Sequence, residues 1–123
     1  MSRKQRDKAK DAVAISRIAV GGGAWLMPNL SGRMFGLDPE GNPQLSYIGR
    51  LFGARDVALG AGVLRSSRKQ KDAWLTAGLA CDVADVAAGA IAGARGTLPP
   101  AAAALVTATA AGFAAFGYWL LQQ

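Results

Sequence analysis

Four apolar runs of roughly 20 residues each divide this chain, and six ionisable residues stand inside them: Arg17, Arg50, Arg55, Asp56, Asp82 and Asp85. A run of that length is what an α-helix needs to cross a bilayer. An unpaired charge in hydrocarbon is costly, so such residues are expected to face a bundle interior and to find partners there. Three are basic and three acidic, which leaves the set neutral. The expected fold is therefore all-α: a polytopic membrane protein, a four-transmembrane-helix bundle with a polar core.

At 123 residues the chain has room for one domain. Hydrophobic residues make up 51% and aromatic ones 7%, with Ala and Gly supplying much of the bulk. The mean hydropathy of +0.19 is low for a membrane protein because two basic segments dilute it. Residues 1–11 read as a basic cytoplasmic N-terminal segment, with a frayed or interfacial start. Residues 12–123 read as the transmembrane domain, with helices at about 12–30, 45–64, 73–94 and 98–121. The connection over 31–44 holds Gly32, Gly36, Pro39, Gly41 and Pro43, which makes it irregular. A basic start before an apolar run also resembles a signal peptide. Arg17, the Gly21-Gly22-Gly23 run and the lack of a clean cleavage site favour a retained helix.

The basic residues are distributed as a topology signal. Arg3, Lys4, Arg6, Lys8 and Lys10 precede the first run, and Arg65, Arg68, Lys69 and Lys71 join the second to the third. The other two connections hold only Arg33 and Arg95. This asymmetry places both termini in the cytoplasm of a multi-pass protein of the bacterial inner (plasma) membrane. Trp25 and Tyr47 then fall near the outer ends of their helices, and Trp74, Tyr118 and Trp119 near the inner ends, as an interfacial belt requires. Attraction to anionic lipids at the cytoplasmic face accounts for the charge. Nucleic-acid binding is not expected, because no aromatic stacking platform accompanies it.

Helical rise orders the six charges by depth. Arg17 and Asp56 lie roughly 9–12 Å from the cytoplasmic ends, Arg55 and Asp82 roughly 14–15 Å, and Arg50 and Asp85 roughly 20–21 Å. Depth matching predicts a three-rung ladder of Arg17–Asp56, Arg55–Asp82 and Arg50–Asp85. Its leading reading is a structural intramembrane charge network that fixes register among helices lacking a hydrophobic drive to associate. A proton or ion relay, and a polar site for a lipid headgroup or a partner's charge, remain open beside it.

Small residues recur every fourth position, with literal GxxxG spacings at Gly49 to Gly53 and Gly89 to Gly93. Helix four adds Ala104, Ala108 and Gly112. Such stripes let backbones approach closely, within the bundle or against a partner. Gly21-Gly22-Gly23 is read as a bend in helix one or a close crossing.

Chemistry is weakly represented. A single cysteine, Cys81, excludes an internal disulfide and a cysteine-cluster metal site, and it reads as a small core residue. The absence of histidine removes the commonest general base and metal ligand. No catalytic, cofactor-binding or metal-binding residue is expected, and the protein is read as not an enzyme.

The segment Arg50 to Gly60 (RLFGARDVALG), followed by Trp74 and by Asp82-x-x-Asp85, resembles a pattern of small actinobacterial four-helix membrane proteins of unknown function. The likeness covers the second and third helices, and it aligns Arg55-Asp56 and Asp82/Asp85 with the pattern's charged positions. Proteins of this size are similar to accessory subunits of envelope complexes, including lipid importers of the mammalian-cell-entry type. The resemblance implies a non-catalytic accessory or stabilising subunit of a larger membrane complex, with envelope lipid transport the first choice. A small oligomeric transporter using the Asp/Arg network is the alternative, and a membrane enzyme or redox accessory the second.

Overall fold

Ser2 and Gln5 start the first helix with a reciprocal cap. The Gln5 backbone N–H donates to the Ser2 hydroxyl at 3.2 Å, and the Ser2 N–H donates to the Gln5 side chain at 2.8 Å. The computed structural model describes residues 1–123. Helix α1 runs Arg3–Leu26, so the basic segment expected to fray is helical from its third residue. It stops at Met27 because Pro28 disfavours the helical conformation in the residue before it and supplies no N–H. Pro28 instead opens a short helix, α2, Pro28–Met34. The first apolar run is thus broken where a continuous helix over 12–30 was expected, and part of the connection is ordered.

Three long helices follow: α3 Leu45–Arg65, α4 Arg68–Arg95 and α5 Pro100–Leu121. Helix α4 begins five residues before the expected start, so Arg68, Lys69 and Lys71 lie on it rather than in a loop. Its end is set by Gly96, which adopts the left-handed conformation at φ 71°. The fold is all-α, with five helices and no strands.

The four long helices form a ring in the order α1, α3, α4, α5, with α1–α3 and α4–α5 the two tight antiparallel pairs. Glycine lets the first pair approach. A Cβ at Gly21 would lie 2.6 Å from the Gly53 carbonyl oxygen, and one at Gly60 would lie 2.5 Å from that of Ala14. Gly21 therefore serves a close crossing, and α1 passes through the triple-glycine run without ending. In the second pair Gly89 meets Thr107, and a Cβ at Gly93 would sit 3.0 Å from that of Ala103. Helices α1 and α4 are left across the diagonal, running parallel.

The interior combines small apolar residues with buried charge, and large apolar side chains lie outside. Buried residues number 21 of 123, and Arg17, Asp56 and Asp82 are among them. Large apolar side chains such as Ile15, Leu26, Met34, Ile48, Leu51, Val83, Ile91, Leu105 and Phe116 are exposed. Ala14, Val63 and Leu75 form a contiguous apolar cluster with Leu121 against it, and Val13, Ala24, Leu59, Ala102, Ala103, Ala110 and Leu120 are buried elsewhere. Two helices, α4 and α5, are long and apolar enough to cross a membrane. Helices α1 and α3 fall short because charges interrupt their apolar stretches (Lys10, Asp11 and Arg17 on α1; Arg50, Arg55 and Asp56 on α3), whereas beyond its basic start α4 carries only Asp82 and Asp85 before Arg95.

Candidate functional site

Arg17 projects from the middle of α1 into the centre of the ring and touches all three other long helices. Its Nη1 donates to Asp82 Oδ1 of α4 at 2.9 Å, and its Nη2 donates to Asp82 Oδ2. Asp56 Oδ1 of α3 lies 3.8 Å from Nη1, and the guanidinium carbon sits 5.2 Å from the Phe113 ring centre on α5. Room for the guanidinium comes from Gly78, one turn before Asp82 on the same face of α4. A Cβ there would stand 3.0 Å from Arg17 Nη2.

A second bidentate pair lies beside the first. Arg55 Nη1 and Nη2 donate to Asp85 Oδ1 and Oδ2 at 3.1 and 2.6 Å. Arg55 Nε and Nη2 also donate to Asp56 Oδ1, both at 3.3 Å, and its guanidinium carbon lies 5.0 Å from the Phe52 ring centre. Asp56 therefore bridges the two arginines. Bidentate guanidinium–carboxylate pairs are among the stronger and most directional polar contacts available to a protein.

This geometry corrects the expected ladder. Arg17 keeps the expected ion pair with Asp56 at 3.8 Å but takes Asp82 in bidentate fashion, whereas Arg55 takes Asp85 and not Asp82. Arg50 leaves the set: its Nε donates to the Trp25 carbonyl at 3.0 Å, and its guanidinium lies over the Trp25 ring, 5.5 Å from the centre. The neutral six-residue set is thus a five-residue cluster of two guanidiniums and three carboxylates. Depth fixed which residues could meet along the bundle axis. It carried no information about rotation, and Arg50 points about 140° away from Arg55 around α3.

The small residues proposed for packing divide similarly. Gly53 faces α1, Gly49 lies against Pro28 at the start of α2, and Gly89 and Gly93 face α5. Gly112 has no heavy atom within 4 Å of where its Cβ would be. It lines an open groove between α1 and α5, with Val13, Ser16, Ala108, Phe113 and Phe116. A second groove, between α1 and α3, is lined by Gly22, Trp25, Leu26, Ala54, Val57 and Ala58. Neither groove includes a charged residue.

Sequence reasoning passed over a further ionic stripe along the α1–α4 diagonal. Arg68 pairs with Asp7 at 3.0 Å, Lys10 with Asp72 at 2.7 Å, and Lys71 with Asp11 at 2.6 Å. Lys71 also donates to the Val63 carbonyl at 2.8 Å, tying α4 to the end of α3. The signal was present in the spacing of Asp7 and Asp11, four apart and so on one face of a helix. These pairs run in register with Arg17–Asp82, so the N-terminal halves of α1 and α4 are joined by long side chains with little backbone proximity. At the opposite end, Arg33 pairs with Glu40 and holds its carboxyl below the usual glutamate range.

No family model, no curated protein and no solved structure matches this chain.

Proposed function

We propose that the protein is a four-span inner-membrane bundle with both termini cytoplasmic, acting as a non-catalytic accessory or stabilising subunit of a larger membrane assembly. Envelope lipid transport is the favoured assembly, on the resemblance of the Arg50–Gly60 and Asp82/Asp85 pattern. The exposed large apolar side chains, together with three buried charges, support membrane insertion. Acyl chains would cover the exposed Ile, Leu, Val and Phe side chains, and the ring would keep Arg17, Asp56 and Asp82 away from them. Inserted this way, α1 and α3 would cross with Arg17 and Asp56 turned inward and Arg50 held at the Trp25 carbonyl, although neither has a stretch as apolar as those of α4 or α5.

The single observation that carries the subunit reading is the closure of Arg17. Its guanidinium is spent on Asp82, approached by Asp56 and flanked by Phe113, and both grooves run past the cluster without reaching a charge. Such an arrangement suits a latch that fixes register better than a site that turns over substrate. Basic side chains without a carboxylate partner (Arg3, Lys4, Lys8, Arg65 and Lys69) fall at the start of α1, the end of α3 and the start of α4, the end assigned to the cytoplasm, which suits anionic lipid.

Affinity purification of the full chain from native membranes in mild detergent, with mass spectrometry of what accompanies it, tests the reading. A stoichiometric membrane complex is the expected result. A homo-oligomer without partner, or proton-coupled uptake abolished by Asp82→Asn, would overturn it in favour of transport.

A further inference from the structure

We infer that the groove between α1 and α3 binds one anionic phospholipid of the outer leaflet, with its phosphate on Arg50 and an acyl chain running inward past Gly22. The inference rests on the four-span reading with both termini cytoplasmic, and it assigns a ligand to the one embedded charge that the buried cluster does not use.

Of the six ionisable residues within the apolar runs, Arg50 is the one without a carboxylate partner. Its Nε donates to the Trp25 carbonyl at 3.0 Å, near the end of α1 where carbonyls lack an intrahelical donor. Its guanidinium lies over the Trp25 ring, 5.5 Å from the centre. These two contacts orient the side chain and leave Nη1 and Nη2 free to donate. Arg50 is exposed, and it stands three residues, about 4–5 Å, inward of the exposed Tyr47 of the outer aromatic belt. A cation at that depth requires a counter-charge, and an arginine stem reaches the headgroup level from there. Phosphate suits the two free nitrogens, which can grip it in bidentate fashion.

The groove supplies the apolar half of the site. Arg50, Ala54, Val57 and Ala58 follow one another along a single stripe of α3. The last three line the groove with Gly22, Trp25 and Leu26 of α1, so Arg50 caps its outer end without lining it. The volume is about 410 Å³, and a Cβ at Gly22 would meet no atom within 4 Å, which leaves the floor clear. On α3 the lining stops at Ala58, eleven residues and about 17 Å inward of Tyr47. That depth is close to the midplane of a hydrocarbon layer about 30 Å thick. A transmembrane helix crosses both leaflets and does not match a cleft confined to one. A single cation at the outer end of such a cleft, with only apolar lining below it, is the complement of an anionic phospholipid: phosphate outward, one chain inward.

The test uses the full chain in phosphatidylcholine nanodiscs, doped with phosphatidylglycerol that carries a photoreactive diazirine in one acyl chain. Adducts are mapped by mass spectrometry, with the faces around the exposed Ile15 on α1 and Leu105 on α5 as references. The expected result is preferential labelling of residues 22–26 and 54–58. Yield there should fall about tenfold in Arg50→Leu, and equally when the diazirine is carried by phosphatidylcholine, as loss of a charged hydrogen-bond pair implies. Gly22→Leu, which fills the groove and leaves Arg50 in place, should lower it as much. If a variant does not fold, the comparison of the two lipids on the parent chain decides. Equal labelling by both lipids, or unchanged yield in Arg50→Leu and Gly22→Leu, would overturn the inference. So would displacement of the label by inorganic phosphate, which would make Arg50 a free-anion site. Labelling around Ile15 and Leu105 that matches or exceeds the groove would overturn the site and leave the four-span reading standing. No acyl label on any face would end both.

Discussion

Arg17 of α1 and Asp82 of α4 meet across the diagonal of the bundle, with Nη1 2.9 Å from Oδ1 and a second contact from Nη2, between helices whose backbones hardly approach each other. The diagonal position makes this pair the central tie of the ring. Removing either partner leaves a buried, uncompensated charge, which typically costs about 3–5 kcal/mol. Asp82→Asn and Arg17→Leu should each lower the unfolding midpoint in detergent sharply, and Arg17→Leu/Asp82→Leu should be milder than either.

A double-mutant cycle separates the observed register from the depth-matched ladder. Arg17 with Asp82 should show a coupling of about 0.5–3 kcal/mol, and so should Arg55 with Asp85. Arg55 with Asp82 should couple less than either, because no hydrogen bond joins them directly. A cycle in which Arg55–Asp82 dominates would contradict the arrangement.

Gly78 owes its importance to the guanidinium it faces. Gly78→Ala places a methyl 3.0 Å from Arg17 Nη2, so Arg17 or α4 must shift. The expected loss is about 1–3 kcal/mol, the usual range for overpacking a filled site. If the effect works through Arg17, it should shrink in an Arg17→Leu background. Thermal unfolding of the four variants in one detergent gives the answer.

Gly53 and Gly112 look alike in sequence and should behave oppositely. A Cβ at Gly53 overlaps the Gly21 carbonyl, whereas Gly112 opens onto a groove. Gly53→Leu should abolish folding or separate α3 from α1. Gly112→Leu should leave the melting temperature near the parent's. Circular dichroism and gel filtration in detergent distinguish the two.

Glu40 supplies the pH test. Its hydrogen bond from Arg33 depresses its folded-state pKa, so the contact contributes above the unfolded glutamate value of about 4.3 and is lost as pH falls through the folded value. Both side chains are largely solvent-exposed, so the effect on global stability should be small. NMR titration of the Glu40 carboxyl should show a midpoint below the ordinary range, restored towards it by Arg33→Gln.

What could be read in the chain, and what could not, follows from how each feature is encoded. Arg17, Asp56 and Asp82 were legible as inward-facing because a charge within an apolar run has few other places to go. Asp7, Lys10 and Asp11 were not recognised as an ordered face, because their partners Arg68, Asp72 and Lys71 lie some 60 residues away. The break at Met27 was written in Pro28 but concealed by the apolar residues on both sides.

The sequence by itself determined the all-α class, the bounds of α3 and α5 to within a few residues, and the need for a buried polar cluster, while α1 begins well before its expected start. Those follow from local hydropathy, proline and glycine placement, and the cost of an unpaired charge. Only the tertiary structure decided that Arg17 takes Asp82, that Arg55 takes Asp85, and that Arg50 belongs to Trp25. Depth along an axis is set by residue number, but partner choice depends on rotation about each helix and on which helices share a diagonal. Both of these come from glycine-mediated contacts between segments distant in sequence, Gly21 on Gly53 foremost.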